Sequence, residues 1–315
     1  MIITELYNGQ GLGNQLWCYA VLRCASEKMK FDFGVMSPGK FKGKEFLEID
    51  FGFPVEGGDG PEGGPPIQLP QGIENYFRER TVDHPEARIL ISKIDHSLYS
   101  IDDNTKIDGN FQSINYIEEY REKLKKWIPI KENKNIKDFS ADDICVVHVR
   151  GGDFLGSLAY LDSSYYQKSI DLIRKENPNM RFYIITDDVN YANRILPGIE
   201  IIGGSSTRLA DNTKADHHIG GPVWMDWSIL LNCRNAIISA SSFSWWPIWL
   251  NDNVNVIAPM YWADYKRSDG YWSCGDSLIS GWRYLNRDGN IYDYDTCKSL
   301  KDDYERNNNH FWEYK

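Results

Sequence analysis

Hydrophobic and polar positions alternate along this chain in two stretches of different regularity. In the first, an apolar run over residues 2–7 predicts a strand, 15–28 a helix and 31–36 a second strand, with a glycine loop after the first strand. The pattern then weakens. The stretch "GFPVEGGDGPEGGPPIQLP", residues 52–70, is so rich in glycine and proline that it reads as an irregular loop. A charged helical run over 117–127 leads into a polar segment, 129–143, that reads as a linker between domains.

Beyond the linker the pattern is regular. Strands are predicted over 144–150, 182–186, 199–202, 236–240 and 254–258, and helices over 164–176, 190–196, 224–233 and 245–250, with "SSFS" as a loop before the last helix. Short, continuously apolar strands alternating with helices predict an α/β fold with a parallel sheet covered on both faces. Such sheets bind ligands beyond the carboxyl ends of their strands. That rule selects the loops 150–157, 186–190 and 240–244. The expected domains are residues 1–139 and 140–315.

Composition narrows the class. The 315 residues carry 35 Lys and Arg against 45 Asp and Glu, a net charge of −10. That balance argues against whole-surface binding of nucleic acid or anionic lipid, but leaves room for a local basic pocket. Aromatic residues make up 14% of the chain, which fits either a large core or a surface that handles sugars. Six cysteines (18, 24, 145, 233, 274 and 297) show no CxxC pair or zinc spacing and read as buried thiols. Met1 leads directly into the first strand, and no signal peptide, membrane-length apolar run or N-x-S/T sequon is present. The expected location is cytoplasmic, with peripheral attachment to a membrane left open.

Three segments could carry chemistry. In "HVRGGDF", residues 148–154, Arg150 could fork onto a diphosphate, Gly151 and Gly152 allow close backbone approach, and Asp153 could accept a proton. The plainer reading is a turn with a salt bridge. In "IISASSFSWWPIWL", residues 237–250, a serine turn opens a helix, where N–H groups and hydroxyls could hold an anion or where Ser242 or Ser244 simply caps the helix. Trp245, Trp246 and Trp249 read as core. In "YIITDD", residues 183–188, Asp187 and Asp188 read as caps rather than metal ligands. Asp216, His217 and His218 fit no usual metal spacing and read as a solvated loop. The loop "NGQGLGNQ" imitates a dinucleotide fingerprint, but Asn14 stands where the third glycine belongs, and Asp32 lies at the wrong end of the second strand.

Taken in order, three blocks resemble the alpha-1,2-fucosyltransferases of glycosyltransferase family 11: "GQGLGNQLWCYA", "VVHVRGGDF" and "DWSILLNCRNAIISASSFSWWPIWLN". The resemblance implies a GT-B architecture, with two Rossmann-like domains facing across a cleft. It implies inverting, metal-independent transfer of L-fucose from GDP-beta-L-fucose to a sugar hydroxyl, with no cofactor beyond the donor. By the same analogy Arg150, Gly152, Asp226 and Ser241–Ser244 with Phe243 bind the donor in the carboxyl-terminal domain. The loop Gly11, Gly13, Asn14 and Gln15 would serve the acceptor side from the amino-terminal domain. This chain departs from the family pattern at Gly151 and Gln10, where arginines are usual, which leaves open a different nucleotide sugar.

Inverting transfer is one displacement at the anomeric carbon. Without a metal, the negative charge on the departing diphosphate needs a cation such as Arg150 and the dipoles of a helix amino terminus. The incoming hydroxyl needs a base, for which Asp153 and His148 are the candidates, while Asn14 would orient the reacting groups. The expected partners are a nucleotide sugar and a glycan acceptor, the latter held by the irregular loops around 37–75 and 260–285. A carbohydrate-binding protein without catalysis is the rival from another class.

Overall fold

The computed structural model describes residues 1–55, 70–83, 90–131, 138–157, 159–203, 222–260 and 277–307. Asp216, His217, His218 and Cys274 lie outside the described residues, as does most of the glycine- and proline-rich loop. By its internal contacts the chain divides into two compact units. Met1–Lys131 forms the body of the first; Glu132–Ser273 and Leu278–Asn308 form the second. Each is α/β and built on a parallel sheet, the composition of the GT-B type.

The first unit begins with β1 (Ile2–Glu5), which is wholly buried, and α1 (Leu12–Met29). Nearly every residue of α1 up to Ser26 is buried, so this helix is enclosed all round rather than amphipathic. It ends at Lys30, whose left-handed backbone returns an N–H to the Ser26 carbonyl. Then come β2 (Phe33–Met36), β3 (Asn75–Arg78), an antiparallel ribbon of β4 (Thr81–Asp83) and β5 (Leu90–Ser92), β6 (Thr105–Asp108) and α2 (Arg121–Trp127). The main sheet has the order β2-β1-β6-β3, with every neighbouring pair parallel.

In the second unit the elements are β7 (Ile144–Val149), α3 (Ser163–Glu176), β8 (Arg181–Thr186), α4 (Val189–Ile195), β9 (Glu200–Gly203), α5 (Val223–Asn232) and β10 (Asn235–Ile237). They are followed by α6 (Ser242–Leu250), β11 (Asn255–Pro259), β12 (Arg283–Leu285), β13 (Ile291–Tyr292) and α7 (Tyr294–Asn307). The seven-stranded sheet runs β13-β12-β11-β10-β7-β8-β9, parallel except at β12–β13. Cys145, Val147, Val149, Ile184, Ile237 and Ile257 form the apolar floor on which α3 packs Tyr166 and Ile170.

Both sheets contain a point where the chain reverses its direction of travel across them. From β7 it moves outward to β8 and β9, then returns to place β10 on the other side of β7. From β1 it moves to β2, and β6 later settles on β1's opposite flank. The loops leaving β7 and β10, and those leaving β1 and β6, therefore diverge and leave crevices at the carboxyl ends of the strands.

The expected elements of the second unit are all present, and α1 of the first unit and α6 of the second begin well before their patterns predict. Helix α1 starts at Leu12, so Gly13, Asn14 and Gln15 form its first turn rather than a loop. Helix α6 starts at Ser242, so "SSFS" supplies its cap and first turn. Trp245 and Trp249 stack with ring centroids 5.1 Å apart, and Trp246 meets both edge-on, all three buried in the core as expected. Trp246→Ala should cost about 3–5 kcal/mol of unfolding free energy, read as a lower urea midpoint at unchanged slope.

Candidate active site

The end of β7 builds the charged part of the site. All six of its residues are buried, and Arg150 is the first to emerge. Its guanidinium meets two carboxylates: Nη2 donates to Asp153 Oδ1 at 2.6 Å, and Nη1 lies 2.8 Å from Asp187 Oδ2. The Phe154 ring covers the guanidinium at 4.8 Å from its centroid, and the Nε–H is buried without a partner among the described residues. Asp153 is 63% exposed on its side chain and Asp187 only 18%, so Asp153 is the partner that can leave. Burial raises the Asp187 carboxyl above its usual range, opposed by Arg150 and by the Gly151 N–H, which donates to its Oδ1 at 2.8 Å.

The two glycines after Arg150 have different reasons. Gly152 has a φ of +49°, in the left-handed region. At Gly151 a Cβ would lie 2.6 Å from the Asp188 Cβ and 3.0 Å from the Tyr191 ring. The arginine usual at that position has no room here, because α4 packs its amino terminus against the turn. Asp188 is the expected cap, accepting from the Tyr191 N–H at 2.9 Å. Asp187, expected as a cap, is instead the second carboxylate on Arg150.

His148 does not reach the surface. It is 3% exposed, its Nδ1 lies 2.7 Å from Ser239 Oγ, and its ring packs 6.0 Å from that of Phe243. Burial, then the nearby Arg150 charge, depress its pKa to about 3, so the ring is neutral and ties the end of β7 to the end of β10. That placement removes the expectation of His148 as a base.

The serine turn after β10 divides its labour. Ser241, rather than Ser242 or Ser244, is the helix cap, accepting from the Phe243 N–H at 3.3 Å. Ser244 is fully buried and donates to the Ser241 carbonyl. Ser242 and Phe243 are the half-buried members, at the positive end of α6.

Asp226, on α5, lies against the carboxyl end of β9, where a Cβ on Gly203 would collide with its Oδ1. It is 4% exposed, Oδ1 is buried without a hydrogen-bond partner among the described residues, and burial lifts its pKa to about 7. A buried acceptor with nothing to accept from is costly unless a ligand supplies the donor.

In the first unit the opening loop is tied down by its own side chains. Gln10 Oε1 accepts from the Tyr7 N–H at 3.0 Å, so the residue standing where an arginine is usual serves as a loop staple. Gln15 is fully buried; its amide donates to the Lys40 carbonyl at 2.9 Å and accepts from the Lys42 N–H at 2.8 Å. Gln15 is thus a strut rather than a ligand group. Gly11 is the exposed amino cap of α1, and Gly13 is buried. Asn14 is half-buried, and its Oδ1 accepts from Gln112 Nε2 at 2.9 Å, a partner that sequence spacing could not reveal. An open hollow of about 460 Å³ lined by Arg23, Glu27, Asp32 and Phe53 sits by the last turns of α1, at the opposite end of this sheet.

The five described cysteines are buried free thiols, and burial pushes Cys18 and Cys233 up to about 12, which removes them from nucleophilic chemistry. Among the described residues, no helix is long and apolar enough to cross a membrane.

A parallel sheet whose switch point carries a forked arginine and a helix amino terminus has the chemistry of an anion site. Family comparison makes the assignment specific: the model of Glycosyl transferase family 11 matches residues 97–286, and the chain belongs to that family. It is therefore a glycosyltransferase. The chain is similar to an alpha-1,2-colitosyltransferase of Escherichia coli, 25% identical over 224 residues, covering 65% of this chain and 74% of the relative. It is also similar to the O-antigen biosynthesis glycosyltransferase WbnK of Escherichia coli, 24% identical over 124 residues and covering 37% and 38% of the two chains. Among solved structures, an Arabidopsis thaliana FUT1 mutant in complex with GDP superposes with a TM-score of 0.45 at 11% identity, over 82% of this chain and 70% of the other.

Two outcomes follow from the geometry. Gly151→Arg should lower the melting temperature by several degrees, because its Cβ displaces α4; an unchanged melting curve would show that the turn has slack. The Asp226 carboxyl binds a proton more tightly folded than unfolded, so its contribution to stability is greatest at low pH. That contribution falls by about 2–4 kcal/mol as pH rises from the ordinary carboxylate range through about 7. Asp226→Asn should remove this decline, measured as melting temperature between pH 4 and 8.

Proposed function

We propose that the chain is an inverting, metal-independent transferase that moves L-fucose from GDP-beta-L-fucose to a sugar hydroxyl, forming an alpha-1,2 linkage on a galactoside. The observation that carries this reading is Asp226. A buried carboxylate with an open acceptor complements the N1–H and exocyclic N–H of guanine, two parallel donors that neither adenine nor uracil offers together. β7 and β9 lie two strand spacings apart, about 10 Å, so a nucleotide can have its base at Asp226 and its phosphates at Arg150.

Arg150 would exchange the exposed Asp153 for the diphosphate while Asp187 keeps the guanidinium aimed. Gly152, Ser241, Ser242 and Phe243 would supply a close backbone, hydroxyl and N–H groups at the positive end of α6, with Ser244 bracing the turn from within. As the bond from the anomeric carbon to the phosphate oxygen breaks, its electron pair goes to the GDP, and these groups stabilise the charge in place of a metal. The acceptor oxygen forms the new bond from the opposite face and gives up its proton. Asn14, at the amino end of α1, would orient the acceptor or the fucosyl group.

A second reading has the same chemistry with another deoxy sugar. It is favoured by the colitosyl activity named for the Escherichia coli relative and by the loss of arginines at Gly151 and Gln10.

A thermal-shift panel of GDP, UDP, CMP and ADP should stabilise the protein with GDP only. A shift with sugars alone would instead indicate a carbohydrate-binding protein. Arg150→Ala should lower kcat for transfer at least about 100-fold, and transfer retained within a few-fold would overturn its role. Turnover should survive EDTA, and a strict requirement for Mn2+ or Mg2+ would contradict the metal-free mechanism. Linkage analysis of products from GDP-fucose and other GDP-sugars decides between the two readings.

A further inference from the structure

The hollow by the last turns of α1 lies at the amino end of the first sheet, opposite that sheet's crevice, and the transfer reading gives it no role. Its volume of about 460 Å³ is in the range of small-molecule sites. The segment 51–54 forms its outer wall and is laid along β2 as an added edge. The Val35 N–H donates to the Phe51 carbonyl at 3.0 Å, and the Phe53 N–H to the Phe33 carbonyl at 2.9 Å. The approach is close enough to require glycine on both sides. A Cβ on Gly34 would lie 2.8 Å from the Phe53 carbonyl oxygen, and Gly52 has a φ of +71°.

Asp50 closes this turn. Its Oδ1 accepts from the Gly52 N–H at 2.9 Å, and its Oδ2 accepts from Arg23 Nη1 at 3.0 Å. Phe53 is therefore held by its backbone on a fixed edge, yet it is 56% exposed. A lone exposed apolar residue is ordinary on a protein surface. One fixed at the rim of a polar hollow is a platform for a ligand.

The charges around the hollow select the ligand. The Arg23 guanidinium lies 4.1 Å from the Phe33 ring centroid and 4.5 Å from that of Trp127, and Asp50 neutralises it. Glu27 is paired with Lys123. The cation's place against the rings is thus filled by the protein's own arginine, and two of the carboxylates that line the hollow already have cations. What remains is the Phe53 ring, the exposed Asp32 carboxylate as an acceptor, and the guanidinium N–H groups that Asp50 does not take. A flat apolar ring beside fixed donors and acceptors matches a pyranose, with the sugar's C–H face on the ring and its hydroxyls on the polar groups. Phosphate is disfavoured, because Glu27, Asp32 and Asp50 share the same wall.

We propose that this hollow is a second glycan-binding site, which holds a neutral oligosaccharide apart from the place of transfer. The proposal rests on the glycan acceptor of the reading above and is independent of which sugar is transferred. It makes the exposed Phe53 ring the main contact, with Asp32 and Arg23 orienting the hydroxyls.

The test places a reporter at the hollow. In protein labelled with 5-fluorotryptophan, the Trp127 fluorine signal, assigned by its loss in Trp127→Phe, reports on the ring against Arg23. Titration with lacto-N-tetraose, a neutral tetrasaccharide, should shift this signal saturably, with a Kd on the order of 1 mM. Phe53→Ala, at an exposed position that the core does not need, should weaken that Kd at least about fivefold, and Asp32→Ala should weaken it too. The GDP thermal shift and transfer to lactose should stay within twofold of the parent in both variants. If the parent transfers no sugar, the reading fails, and the titration still decides the site. No saturable shift up to about 20 mM, or the same Kd in the parent and Phe53→Ala, would overturn the proposal. A shift with spermidine and none with the tetrasaccharide would overturn it as well, by making the hollow a cation site.

Discussion

The guanidinium of Arg150, held between Asp153 and Asp187 at the end of a wholly buried strand, is the interaction on which the second unit's chemistry depends. Two carboxylates on one cation leave the turn without net positive charge while it is empty. They also keep the planar fork aimed, with Phe154 over one face. In the proposed mechanism an incoming diphosphate replaces the exposed carboxylate and keeps the buried one, so the binding geometry exists before the ligand arrives. The neighbouring glycines follow from the same constraint. The turn must pass so close to α4 that Gly151 cannot carry a side chain, and the charge lost there is not replaced by another cation in the turn.

The two sheets solve related problems with different chemistry. In each, the reversal of chain direction opens a crevice at the carboxyl ends of adjacent strands. The second sheet lines its crevice with a cation, a helix amino terminus and a buried acceptor carboxylate. The first carries a buried Glu–Lys pair, two tyrosines, a carboxylate and a pair of side-chain amides. His148–Ser239 in one sheet and Glu5–Lys106 in the other each join the two strands beside the reversal.

Much of the second unit was legible because its strands are short, apolar and regularly spaced, and because parallel α/β sheets place ligands by rule. Arg150, the serine turn and the aromatic core around Trp245 could all be located from that pattern. The first unit was less legible for a physical reason. β3 and β6 read "NYFR" and "TKID", short polar sequences without strand periodicity, although Thr105, Lys106 and Ile107 of β6 are buried. Contacts between residues distant in sequence were invisible as well. Gln112 on Asn14, Asp187 on Arg150 and Ser239 on His148 lie 98, 37 and 91 positions apart. His148 read as a candidate base because its block suggests chemistry, and only burial shows that it is a strut.

A structure with GDP bound is the most direct measurement of the central claim. The account requires the diphosphate on Arg150 and the amino end of α6, Asp153 turned away from the guanidinium, and the guanine edge on Asp226. GDP seated elsewhere, or bound with the Arg150–Asp153 pair intact and Asp226 still without a partner, would contradict it.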